Sequence, residues 1–218
     1  MKYEINVKKL ENPKGKVMGY VNLVFEECLK VTRIAIVKNK EGEFFVSMPR
    51  YATNNGEEYK DICNPITKEF RAELYQAILD TYQKTALDEY KTVAFGEKEQ
   101  ELKFDARTSP LERRDSKVKG ISRVYVNDCF VINNISLIEG KNGMFVSMPS
   151  YKTTQVDEKG NAIYQDLIYP VTKEFREKLF SGVKESYEEQ KSKKQDAIKS
   201  NLGKDAGKTE THRDTPFR

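Results

Sequence analysis

The sequence predicts an α+β protein made of two copies of one unit, each an antiparallel sheet of three to four strands followed by one amphipathic helix. Three observations predict it. FFVSMPRY at 44–51 returns as MFVSMPSY at 144–151, and PITKEFR at 65–71 returns as PVTKEFR at 170–176. A period of 100 to 105 residues is far longer than the roughly 20 to 50 of a solenoid unit, so each copy is a small domain with its own core. Apolar residues recur at every second position before each Met-Pro and at every fourth position after each Thr-Lys-Glu-Phe-Arg, the periods of strand and then helix.

The correspondence extends outward. Gly19 matches Gly120, Leu23 matches Val124, Phe25 matches Val126, Cys28 matches Cys129, Ile34 matches Ile135 and Gly42 matches Gly143. The offset slips only at turns, which tolerate insertion where paired strands do not. These boundaries give a first domain at 1–84, a linker or helix extension at 85–101, a second domain at 102–187 and a charged, disordered tail at 188–218. Each copy is close to the size at which a single core becomes marginal. Packing of the two against each other as an intramolecular pseudo-dimer offsets that.

Taken in order, YEINVKKL at 3–10 reads as an N-terminal strand, whose counterpart in the second copy is less clear, with LKFDART at 102–108 the candidate. VMGYVNLVF at 17–25 alternates, Glu26-Glu27 turns the chain, and LKVTRIAIV at 29–37 returns. The second copy repeats this with ISRVYV, the stronger turn Asn127-Asp128, and FVINNISLI. Turns at 38–42 and 140–143 lead to FFVSM and MFVSM, each ended by a proline, Pro49 or Pro149, that cannot donate to a ladder. A three-stranded antiparallel meander results. A polar loop follows, at 50–60 and 150–165, then Asp61-Ile62 or Asp166-Leu167, then the helix. Thr67 and Thr172 are N-caps, with Glu69 and Glu174 in the positive first turn. Phe70, Leu74, Ile78 and Tyr82, and equally Phe175, Leu179, Val183 and Tyr187, form one apolar helix face that covers the sheet.

Composition bounds the function. The chain has 38 basic and 34 acidic residues, a net charge of +4, spread along the chain without a concentrated basic block. Any basic patch must arise from arrangement. There is no apolar run of membrane-spanning length, and the first ten residues lack the apolar core of a signal peptide, so the expected compartment is the cytoplasm. Cys28, Cys63 and Cys129 form no C-x-x-C pattern, and an odd number argues against a disulfide framework. The single histidine, His212, lies in the tail, and no phosphate loop or nucleophile elbow is present. The expectation is a non-enzyme with no cofactor, no metal and no small-molecule substrate.

What remains is a surface. Lys68 and Arg71, and equally Lys173 and Arg176, lie three apart at the helix start and share a face. Arg50, Lys60 and Lys152 lie in the preceding loops, beside Tyr51 and Tyr151. Together they present cations and helix-start N–H groups to phosphates, while the tyrosines either stack on bases or anchor the loop. Glu69, Glu73, Glu174 and Glu177 interleave with the cations, so a solvated helix face is the competing reading.

The combined pattern, FVSMPRY followed by KDICNPITKEFR and FVSMPSY followed by QDLIYPVTKEFR, resembles the SpoVG family of septation and sporulation regulators. The resemblance covers both repeats. It implies an antiparallel sheet with a C-terminal helix in each, and DNA and/or RNA as partner. It assigns the nucleic-acid contacts to Arg50, Lys60, Lys68 and Arg71, and to Lys152, Lys173, Arg176 and Lys178. Family members are usually single-domain homodimers, so the tandem chain implies a monomeric pseudo-dimer, with pairing at roughly millimolar effective concentration. The basic pair usual after Met-Pro-Ser is thinned here to Arg50-Tyr51 and Ser150-Tyr151-Lys152. A protein-interaction adaptor in cell division, without nucleic-acid binding, is the alternative.

Overall fold

The computed structural model of the chain describes residues 1–13, 15–53, 56–87, 89–97 and 101–205, with side chains as far as residue 197. In the first repeat β1 (Tyr3–Lys9), β2 (Val17–Phe25), β3 (Leu29–Lys38) and β4 (Phe44–Ser47) form the expected meander with the N-terminal strand added to it. In the second, β9 (Phe104–Pro110), β10 (Val118–Val126), β11 (Phe130–Gly140) and β12 (Gly143–Ser147) do the same. Thus the segment at 102–108 does contain the counterpart of the N-terminal strand: Phe104 faces Val126 as Tyr3 faces Phe25. Helices α1 (Lys68–Lys84) and α2 (Lys173–Asp205) follow.

Local chemistry explains the shared turns. Glu26 and Glu27, like Asn127 and Asp128, have φ between 44° and 60°. Two consecutive left-handed residues make the hairpin turn whose twist matches the strands. Its first residue also ties down the N-terminal strand: the Glu26 carboxylate accepts from the Lys2 backbone N–H, and Asn127 Oδ1 accepts from the Lys103 N–H at 2.9 Å. Gly19 and Gly120 are retained because a helix tyrosine crosses them. A Cβ on Gly19 would meet the Lys8 carbonyl at 2.8 Å and the Tyr82 ring at 3.1 Å, and one on Gly120 the Tyr187 ring at 3.1 Å.

The repeats exchange strands. After its hairpin, the first repeat places β7 (Cys63–Pro65) against β11 of the second, with Cys63 facing Ile132 and Pro65 facing Phe130. Reciprocally, β15 (Ile168–Pro170) of the second repeat lies against β3 of the first, with Ile168 facing Val31. Each receiving strand carries a bulge beside the visitor, where Arg33 (φ 59°) and Asn134 (φ 60°) are left-handed. There Thr32 N–H donates to Leu167 O, and Asn133 N–H to Ile62 O, both at 2.7 Å. The helices then return to their own sheets: α1 packs on β1, β4 and β7, and α2 on β9, β12 and β15. Leu74 and Ile78, like Leu179 and Val183, are fully buried in one core continuous across both repeats.

Three expectations need correction. Residues 85–101 are not simply linker or helix extension: β8 (Tyr90–Phe95) pairs antiparallel with the outer edge of β1. Its short run YKTVAF turns only Lys91, Val93 and Phe95 inward, too weak an alternation among charged neighbours to announce a strand. The loops 50–60 and 150–165 are two-stranded arms, β5 (Arg50–Thr53) with β6 (Glu58–Asp61), and β13 (Ser150–Val156) with β14 (Ala162–Asp166). They bury almost nothing, so their composition is polar. The tail is helical as far as Asp205, whereas residues 206–218, with His212, lie outside the described residues. Strong helix formers and ion pairs, Lys193 to Glu189 at 3.6 Å and Lys194 to Glu112 at 2.8 Å, carry α2 onward without an apolar face.

Candidate nucleic-acid interface

Strand exchange decides where the predicted cations sit. Each arm leaves its own sheet at Met-Pro and ends beside the other repeat's sheet, because the strand that follows it is paired there. Arg50 opens the first arm opposite Asp61, and Lys60 lies opposite Tyr51; Lys152 of the second arm lies opposite Tyr164. Asn133 Nδ2 holds the base of the first arm through the Asp61 carbonyl at 3.1 Å. The second arm is held differently: the Arg33 guanidinium of the first repeat lies 4.3 Å from the Tyr151 ring centre and 5.6 Å from that of Tyr20. Arg33 is a contributor that sequence reading missed, because the bulge that turns it toward the second arm is set by the register of β3 against β2 and leaves no mark in the sequence.

The helix starts are built as expected. Thr67 Oγ1 accepts from Phe70 N–H, and Thr172 Oγ1 from Phe175 N–H, both at 3.3 Å. This leaves Lys68 and Lys173 in the first turn, where the aligned backbone dipoles already favour anions. All eight predicted residues are exposed. They are not equivalent, however. Arg71 Nη2 donates to the Pro65 carbonyl at 2.9 Å, and Arg176 Nη2 to the Pro170 carbonyl at 3.4 Å, so both clamp the end of an exchanged strand. Lys178 is bound to the Glu101 carboxylate, and Lys173 is 3.8 Å from Glu177. Arg50 donates to Ser47 Oγ at 2.7 Å. Among the described residues Lys60, Lys68 and Lys152 alone of the eight have no ion pair or side-chain hydrogen bond.

The two copies differ electrostatically. In the first, Arg50, Arg71 and Asp61 surround Tyr75: burial raises its phenol pKa above the ordinary value, Asp61 adds to this and the two arginines oppose it. In the second, Ser150 replaces Arg50 and Phe180 replaces Tyr75. Burial there raises the Asp166 carboxyl, with Arg176 pulling it back down. The first surface is therefore the more cationic. Both arms also carry an exposed tyrosine at matching positions, Tyr59 at 63% and Tyr164 at 64%, a degree of exposure that leaves a ring face open for stacking. Burial pushes the Cys28 thiol up to about 11, and that of Cys63 higher, so neither is a ready thiolate near neutral pH.

The SpoVG family model matches residues 1–84 and again 103–189, most of the chain and both sheet-helix units. This chain belongs to the SpoVG family. A protein of Treponema denticola named as a septation protein SpoVG is 35% identical over 84 residues, covering 38% of this chain and 87% of its own length. Another so named, from Borrelia hermsii, is 36% identical over 83 residues, 37% of this chain and 84% of its own. A third, from Phytoplasma australiense, is 36% identical over 75 residues, 34% of this chain and 72% of its own. Each of these SpoVG relatives thus matches about one repeat's worth of the tandem chain. No described helix is long and apolar enough to cross a membrane.

Proposed function

We propose that this SpoVG-family chain is a non-enzymatic, cytoplasmic regulator that binds DNA and/or RNA through its two arm and helix-start surfaces, in a process linked to septation. The relatives' names support the septation link. One observation supports the binding: in each repeat an exposed arm cation, Lys60 or Lys152, precedes one exchanged strand along the chain, and a lysine in the first turn of a helix, Lys68 or Lys173, follows it. A cation at that helix end is electrostatically unfavourable by itself and is relieved by a bound phosphate. The first repeat is the stronger site, since Arg50 adds to it while Lys173 and Lys178 are partly neutralised by glutamates.

The test is a salt titration of binding to random-sequence DNA and RNA. With Arg50, Lys60 and Lys68 on phosphates, log K falls against log salt with a slope of about −2.7 on duplex DNA and about −2 on a single strand. Absence of binding to both at low salt overturns the proposal. The adaptor reading is favoured by the second arm, where Val156, Ile163 and Tyr164 are exposed together. It predicts function that survives loss of the first repeat's cations.

A further inference from the structure

The outer edge of β9 is open where that of β1 is closed. In the first repeat β8 pairs along β1, with Phe95 opposite Tyr3 and Val93 opposite Ile5. The Phe95 ring stacks on Tyr3 at 5.3 Å and 16°, and Tyr3 and Ile5 are 1% and 0% exposed. In the second repeat the equivalent residues, Phe104 and Ala106, are only partly buried, and no described strand covers that edge. The backbone groups of two residues there have no partner among the described residues. Asn127 N–H donates to Lys103 O and Leu111 N–H to Lys119 O, so by strand alternation the groups of Phe104, Ala106 and Thr108 point outward. Thr108 N–H is taken by Ser186 Oγ at 2.9 Å. That leaves Phe104 and Ala106 without a backbone partner among the described residues, along a groove of about 710 Å³ between β9 and α2, whose helix side is lined by Lys178, Ser181, Gly182, Glu185, Ser186 and Glu189.

We infer that this groove is a docking site for an extended segment of a partner polypeptide, which adds to β9 as β8 adds to β1. The first repeat shows the chemistry the edge accepts: an antiparallel strand reading Val-x-Phe, its aromatic residue over the ring at position 104 and its branched residue over position 106. Ile5 is replaced by Ala106 and Ala77 by Gly182, whose missing Cβ lets the Phe104 ring lie against α2; a Cβ there would meet it at 2.9 Å. With only a methyl group at 106, the edge has room for a guest residue opposite it as large as or larger than the valine of β8. Asp105 and Arg107, exposed and paired at 2.7 Å, flank the open groups and disfavour indiscriminate edge pairing. Of the eight predicted cations only Lys178, held by Glu101, lines the groove, and docking there does not depend on nucleic-acid binding.

The test titrates the full chain with a fluorescein-labelled peptide copying residues 89–97 and maps amide shifts by NMR. The expected result is saturable one-to-one binding, with shifts at Phe104 and Ala106 but not at Tyr3 and Ile5. Ala106→Pro removes one outward N–H from an edge strand without touching the pairing to β10, and weakens binding about tenfold. Ser181→Trp, which fills the groove from the helix side, weakens it independently of any effect on β9. No saturation at millimolar peptide, or affinity unchanged in both variants, overturns the inference. So does a dimer of the chain that Ala106→Pro dissociates, which would make a second copy the occupant. A gain in peptide affinity on deleting residues 206–218 would make the chain's own end the occupant, with the same consequence.

Discussion

The rings of Phe25 and Phe130 meet at 5.0 Å between centres, both fully buried, one ending β2 of the first repeat and the other opening β11 of the second. Phe130 is also where the first repeat's Pro65 is paired. The contact therefore belongs to neither repeat alone. Phe130→Ala removes a buried ring at this junction and should cost about 3–5 kcal/mol. Both repeats should still melt together. Denaturant unfolding followed by near- and far-ultraviolet circular dichroism checks this; two separated transitions in the variant would show repeats that fold independently.

Exchange of β7 and β15 also predicts what happens when the covalent link is cut. A protease site placed between Gly96 and Leu102, followed by cleavage, should leave the halves associated. Light scattering should still return a mass near the 25.2 kDa of the intact chain. Separation of the halves under native conditions would contradict the exchanged pairing.

Arg33 combines a cost with a contact. A left-handed arginine is strained by about 1 kcal/mol, and its stacking on Tyr151 at 4.3 Å returns a similar amount. Arg33→Asn, which copies Asn134, should change stability by less than about 1 kcal/mol while releasing the second arm. Faster backbone motion in β13 and β14, measured by NMR relaxation, is the expected sign. An arm as ordered as before would mean that Arg33 does not hold it.

Lys68 and Arg71 share a helix face but should behave differently. Arg71→Ala loses the hydrogen bond to Pro65 O and should destabilise the fold by about 1 kcal/mol. Lys68→Ala should leave the melting temperature unchanged and weaken nucleic-acid binding. Thermal melts and anisotropy titrations on both variants check the split; equal stability loss in the two would place Lys68 in the framework instead.

The helix stripe from Phe70 to Tyr82 was legible because a helix is specified within a few residues of itself. So was the hairpin at Asn127-Asp128, whose turn chemistry is local. Cys63–Pro65 was not, since three residues carry no sign of which sheet they join. Strand β8 was hidden because its burial depends on an edge nearly ninety residues earlier in the chain. At the candidate interface, residue type identified the cations. Which of them are already engaged, as Arg71 is with Pro65 and Lys178 with Glu101, follows only from the fold.

The most direct test of the proposed surface compares two charge reversals of equal size. Lys60→Glu with Lys68→Glu alters the first arm and helix start, whereas Lys40→Glu with Lys141→Glu alters two exposed hairpin turns outside the proposed contacts. Measured by anisotropy on one labelled nucleic acid at low salt, the first pair should weaken binding at least about tenfold, as expected for two lost phosphate contacts. The second pair should reproduce the native affinity within about threefold, as expected where only the distant field changes. Equal losses in the two would mean that net charge alone drives binding, and the assigned surface would be wrong.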